Sequence, residues 1–177
     1  MAHALPGGAF TVRPGLLIGP HDPTGRFSRW VHVLATSSRV RAPADRDQPV
    51  QLIDARDLAA WMLDEIEKRR LGIFNATGPE LPLTLGHTLE RVLNATGSSA
   101  EIEWVDGQVL REEGLEPWDD VPLWLDLPQH PELRGFMAVD VSRALAAGLS
   151  YRPLEETVRD ILGTDGKHHR DRRRTAG

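Results

Sequence analysis

A chain of 177 residues, 40% hydrophobic and 27% charged, can bury one core of ordinary size but not two large ones, so one domain is the default. No apolar run approaches a membrane span, no basic segment precedes an apolar stretch at the N-terminus, and zero cysteines exclude disulfides and thiolate metal sites, all of which fits a cytoplasmic protein. The net charge of −5 resolves into a short basic tail on an acidic body, which is ill-suited to nucleic acid because phosphates need a basic face on the fold.

Residues 1–8, MAHALPGG, show no periodicity and are expected to form a disordered leader. Residues 9–19, AFTVRPGLLIG, read as a buried strand followed by a turn, with a break at Pro14-Gly15. Residues 20–49 are rich in Pro, Gly, Asp and Arg and predict long connecting structure, with a helix-compatible piece over 27–34. Loops of that length in compact domains often carry function. Residues 50–53 predict a short strand, and Asp54 can cap a helix with Leu58, Trp61, Met62 and Ile66 on one face, closed by Gly72. The segment GIFNATG at 72–78 is a second buried-strand candidate, and Thr84 can cap a helix with Leu85, Leu89, Val92 and Leu93 as its apolar positions. Strand followed by helix thus appears twice, the order of a parallel sheet.

Glu101–Val105 alternates as a strand, Asp106 can cap a short helix ending at Gly114, and 116–135, crowded with Pro and Trp, reads as an irregular lobe. Asp140 can cap a short helix whose left-handed stop is Gly148. Pro153 suits the first turn of a last helix with Leu154, Val158, Ile161 and Leu162 as its stripe and Gly163 as its end. Residues 164–177 hold five of the basic residues against Asp165 and Asp171 and are expected to be a basic disordered tail. The organisation expected is therefore leader 1–8, one folded body 9–163 and tail 164–177.

Three segments carry a resemblance: VRPGLLIGP at 12–20, PVQLIDARDLAAW at 49–61 and GIFNATGPELPLTLGHTLE at 72–90. In this order and spacing they resemble the second half of the extended short-chain dehydrogenase/reductase family, the NAD-dependent epimerase/dehydratases. Residues 138–162 resemble that family's closing segment. The resemblance implies the C-terminal part of a doubly wound Rossmann-type parallel sheet with a small mixed substrate-binding lobe, and NAD or NADP as cofactor. In that family a glycine-rich first turn holds the dinucleotide phosphates at a helix start, and a Tyr followed four residues later by Lys donates the proton. Neither is found here: Tyr151 is followed at that distance by Glu155, so no residue is assigned as catalytic and tight cofactor binding by this chain alone is not expected.

What the resemblance leaves to this chain is the substrate side. It implies that Pro14, Gly15 and Leu16 form the turn beside the nicotinamide, and that His21, Asp22, Arg26 and Phe27 lie in the substrate loop. The family's nucleotide-sugar epimerases resemble one another in an Asn and an Arg that reach the sugar-nucleotide phosphates. Those places are Leu16 and Val50 here, and an apolar side chain cannot neutralise a pyrophosphate. A reductase of a small carbonyl compound is favoured over a nucleotide-sugar enzyme, although Arg46 is close enough to supply the lost charge to the latter if the alignment slips. The other reading is a non-catalytic binding or regulatory module that self-associates or recruits a chain supplying the dinucleotide half. Trp104, Trp118 and Trp124 concentrate in and near the lobe, where indole rings can wall a pocket or pack a core. The seven histidines show no metal-ligand spacing.

Overall fold

The computed structural model describes residues 8–79 and 83–174, with side chains through Thr164. Most of the expected leader, residues 1–7, lies outside the described residues, as do 80–82 and 175–177. The chain is α/β, with parallel strand pairs and helices, as the doubly wound reading implied. No described helix is long and apolar enough to cross a membrane.

The 9–19 segment forms two strands rather than one strand and a turn. β1 (Phe10–Pro14) pairs in parallel with β6 (Gly72–Ala76), whereas β2 (Leu16–Ile18) pairs in parallel with β5 (Leu52–Asp54). Pro14 cannot donate to a ladder and so ends β1. Gly15 makes the change of partner: its amide donates to the Ala76 carbonyl at 3.3 Å, and its missing side chain admits Thr77. A Cβ at position 15 would stand 2.2 Å from Thr77 Oγ1 and 2.5 Å from Thr77 Cβ. A third parallel pair joins β3 (Arg39–Pro43) to β8 (Glu101–Val105), and a two-residue antiparallel pair joins β4 (Pro49–Val50) to β7 (Leu83–Thr84).

α1 (Ser28–Thr36) covers the 27–34 piece and has no side-chain cap, whereas the next three helices each begin where a side chain takes up one of their free amides. Asp54 accepts from the Arg56 amide at 2.9 Å at the start of α2 (Ala55–Glu67), and Thr84 accepts from the His87 amide at 3.1 Å at the start of α3 (Leu85–Thr96). Asp106 accepts from the Gln108 amide at 2.7 Å at α4 (Gly107–Glu112). Asp140 accepts from the Ser142 amide at 2.9 Å beside α5 (Ser142–Ala146), and Gly148, at φ +90°, follows that helix.

Three boundary expectations need correction. α2 stops at Glu67, and Gly72 instead opens β6 at φ +127°. On α2, Leu58 and Trp61 are buried as expected, but Ile66 is 55% exposed and Glu65 is buried in its place. Glu65 is admitted because Lys68, at 2.9 Å, and Arg70 both bond its carboxylate. The Lys68 hydrogen bond, then that of Arg70, holds the carboxyl below its ordinary range against burial. α6 (Leu154–Arg174) runs through Gly163 instead of ending there, so the backbone of the expected tail is helical to Arg174. A glycine inside a helix costs only about 1 kcal/mol, and Thr164 Oγ1 bonds the Asp160 carbonyl at 2.9 Å across that point.

The larger of two apolar clusters joins α1, α3, the lobe and α6 through Phe27, Leu34, Leu89, Trp124 and Val158. The smaller one packs α2 against β1 and β6 through Phe10, Trp61 and Phe74, whose ring centroids stand 5.6 to 5.7 Å apart. The lobe is irregular as expected, with one 3-10 turn at Pro131–Gly135.

Candidate functional site

In parallel sheets the crevice beyond the carboxyl ends of the strands is the natural ligand site. Here that position holds a pocket of about 440 Å³. Arg13, Pro14, Gly15 and Leu16 line it from the β1–β2 junction, Asn75 and Thr77 from the end of β6, and Gln51 from the link between β4 and β5. The far wall comes from Trp118 in the lobe and from Phe136, Met137 and Val139 in the segment just after it.

Two amides stitch the segment after the lobe to the sheet. The buried Gln51 donates to the Val139 carbonyl at 3.0 Å and accepts from the Val139 amide at 2.8 Å, the pairing a strand would make. Asn75 donates to the Asp140 carbonyl at 2.9 Å. Tyr151 supports the pocket from behind, its hydroxyl donating to the Thr77 carbonyl at 2.6 Å and its ring packed over Gly78. That tyrosine is thus a brace. Thr77 Oγ1 is buried without a hydrogen-bond partner among the described residues.

The expected site residues fare unevenly. Pro14, Gly15 and Leu16 all reach the pocket, but Pro14 has no amide hydrogen and that of Gly15 is bonded to Ala76, so neither offers a backbone donor to a ligand. Of the loop residues, Arg26 reaches the pocket wall, its guanidinium 5.2 Å from the centre of the Trp118 ring. Asp22 is turned onto its own loop, accepting from the Thr24 amide at 2.8 Å and hydroxyl at 2.7 Å. His21 stands exposed at φ +67°. Phe27 is fully buried in the larger core ahead of α1 and is a packing residue, contrary to the expectation that it meets substrate. Sequence reasoning missed Gln51, Thr77, Phe136, Met137 and Val139. The signal available for Thr77 was its place just past the carboxyl end of a buried strand. Gln51 stood out only as a polar residue inside an apolar run.

Behind the pocket lies an ion network. Asp54 accepts from Arg56 Nε at 2.9 Å and Nη2 at 2.7 Å and from Thr157 Oγ1 at 2.7 Å, while Arg56 also bonds Asp160 at 2.6 Å. Arg152 bonds Asp57 at 2.8 Å and lies 3.6 Å from Asp54. Burial pushes the Asp54 carboxyl up, but the hydrogen bonds from Arg56 and Thr157 and the Arg152 charge together bring it below its ordinary value.

The starts of α2, α3 and α4 do not fit the phosphates of a dinucleotide. Such phosphates need free amides at a helix start. At the junctions into α2, α3 and α4 one such amide each, of Arg56, His87 and Gln108, is taken by the side chain of Asp54, Thr84 or Asp106, and two of these side chains are carboxylates that would repel a phosphate. No step is therefore assigned to a cofactor held by these residues alone.

No family model and no curated protein matches the chain. Solved structures do. The UDP-glucose 4-epimerase of Thermotoga maritima with UDP-glucose is similar over 89% of this chain and 45% of its own, at a TM-score of 0.58 and 15% identity. RMD from Pseudomonas aeruginosa complexed with NADPH is similar over 86% of this chain and 46% of its own, at 0.55 and 13% identity. The UDP-glucuronic acid 4-epimerase of Bacillus cereus in complex with NAD is similar over 88% of this chain and 44% of its own, at 0.55 and 14% identity. The chain spans less than half the length of each. The fold of the described residues is thus similar to that of under half of each of these Rossmann-like structures.

Proposed function

We propose that this chain is the substrate-side portion of an NAD(P)-dependent oxidoreductase that reduces a small carbonyl compound, with the glycine-rich turn and the Tyr/Lys pair supplied from outside these 177 residues. The observation that carries the reading is the largely apolar pocket at the ends of β1 and β6, at the Pro14, Gly15 and Leu16 turn. The places where nucleotide-sugar enzymes resemble one another in phosphate contacts hold Leu16 and the buried Val50. Arg46, which could have replaced the lost charge, is bonded to Glu90 at 2.5 Å and stacked over Trp104 at 4.6 Å. In this reading Pro14, Gly15 and Leu16 set the cofactor side, and Arg26 acts on substrate through Trp118.

The test is an amide-resolved titration of the full chain. Butan-2-one should shift the signals of Gly15 and Thr77, whereas UDP-glucose should not. A UDP-glucose response at those two residues, stronger than the ketone's, would reverse the substrate assignment. For the same chain, calorimetry should find NAD(H) and NADP(H) binding no tighter than about millimolar. Micromolar binding would show that the phosphates find a cradle here after all.

A binding or recruiting role is favoured by a separate observation. The β1 edge facing away from β6 has no strand partner among the described residues, and Leu63 and Ile66 on α2, Leu71 just before β6 and Ile73 on β6 are exposed. Bare edges and apolar patches drive association. The chain should therefore self-associate as its concentration rises in light scattering, and Leu63→Lys with Ile73→Lys should return it to monomer. A wild-type monomer at every concentration would remove this second reading.

A further inference from the structure

Beyond the lobe wall of the pocket lies a second hollow of about 280 Å³, and Trp118 and Phe136 border both. Trp124, Leu125 and Leu133 give the second hollow its apolar lining. The two dividing rings are held very differently. Trp118 takes φ +69°, a left-handed conformation that a bulky residue keeps only where its surroundings enforce it. Its amide donates to the Val121 carbonyl at 3.2 Å, and Arg26 lies over its ring. Phe136 follows the 3-10 turn, is 55% exposed, and meets the edge of Trp118 with centroids 5.4 Å apart at 82°. The Trp118 backbone is constrained by its turn, whereas more than half of the Phe136 surface is open to solvent.

An exposed phenyl ring standing between two apolar hollows keeps water against hydrocarbon on both of its sides, a cost relieved when an apolar ligand fills them. We propose that Phe136 is the movable leaf of a gate that closes against Trp118, and that the carbonyl substrate carries an unbranched apolar tail running between the two rings into the second hollow. This rests on the reading of the first pocket as a carbonyl-substrate site. The chemical class follows from the walls: Leu16 and Met137 on one side of the gate, and Leu125 and Leu133 on the other, offer a tail dispersion contacts. The head stays beside Gly15 and Thr77. Trp118 and Phe136 are then the residues that select substrate by tail length.

The full chain titrated with methyl ketones from butan-2-one to octan-2-one tests this. Each added methylene should tighten binding by about fourfold, roughly two-hundredfold over the series. The terminal methyl of octan-2-one should give intermolecular Overhauser effects to the Trp124 ring and to Leu133. Leu133→Trp, which fills the second hollow, should abolish the gain for octan-2-one and leave butan-2-one binding unchanged. If butan-2-one shifts Gly15 but affinity changes less than twofold along the series, or the terminal methyl contacts lie elsewhere, the gate is overturned while the pocket reading stands. If no ketone of any length shifts Gly15 or Thr77, the pocket reading fails and the gate with it. The Overhauser measurement needs wild-type protein alone, so it decides the matter even where Leu133→Trp does not fold.

Discussion

Gly15→Val is expected to destabilise the chain by about 3 kcal/mol, the upper part of the range for overpacking a close contact. In a domain of this size that lowers the melting temperature by about 6–12 °C. The cause is Thr77, since even the first carbon of any side chain at position 15 would overlap its Oγ1 at 2.2 Å and its Cβ at 2.5 Å. Neither atom is the far end of a flexible chain, because Thr77 is buried and is held where β6 ends. Relief must therefore come from moving backbone, and the backbone that moves is the point where β1 hands over to β2. Gly15→Ala should already cost about 2 kcal/mol by the same contact. In a Thr77→Gly background the same alanine should cost much less, giving a coupling of about 1–3 kcal/mol between the two sites. Thermal or urea unfolding of the four proteins measures this cycle. Additive effects, or a Gly15→Val variant as stable as wild type, would mean that this glycine serves only a ligand and not the packing.

That contact also marks where reading the sequence stops. Asp54, Thr84 and Asp106 were legible as helix starts because a cap acts on amides two or three residues away, within the window the sequence displays. The strand at β6 and the buried stripe of α3 were legible for the same local reason. Gly15 was legible as a break but not as a change of partner, because the deciding atom belongs to Thr77, far along the chain. Glu65 displaced Ile66 from the buried face through Lys68 and Arg70, three and five residues on, a charge pairing that an apolar periodicity does not record. Phe27 went the other way: read as a loop residue beside substrate, it anchors α1 because the core it enters is assembled from α3, the lobe and α6. The pocket turn was found by resemblance. Its opposite wall is held to the sheet by the hydrogen bonds between Gln51 and Val139, which join segments that nothing local connects.

Asp54→Ala is expected to bring the other large loss, about 3 kcal/mol at neutral pH. Three effects combine. The cap of α2 disappears, worth about 1 kcal/mol. The buried Thr157 hydroxyl loses its acceptor, a cost of about 1–3 kcal/mol. Arg56 and Arg152 lose the carboxylate between them, a penalty reduced because their side chains are 40% and 20% exposed. Asp54→Asn separates these causes, since asparagine also caps a helix and accepts from Thr157 but carries no charge; it should cost about 1 kcal/mol. The pH dependence distinguishes the charge from the shape. Because the folded-state carboxyl lies below its ordinary value, its contribution is fully present above about pH 4, where the unfolded aspartate is ionised, and is lost as pH falls through the lower folded-state value. Urea unfolding should accordingly show the gap between wild type and Asp54→Asn closing as pH drops below about 4, while the gap to Asp54→Ala narrows but persists. A gap to Asp54→Asn that stays constant from pH 7 to pH 3 would mean that the charge of Asp54 contributes nothing, and that Arg56 and Thr157 see it only as a hydrogen-bond acceptor.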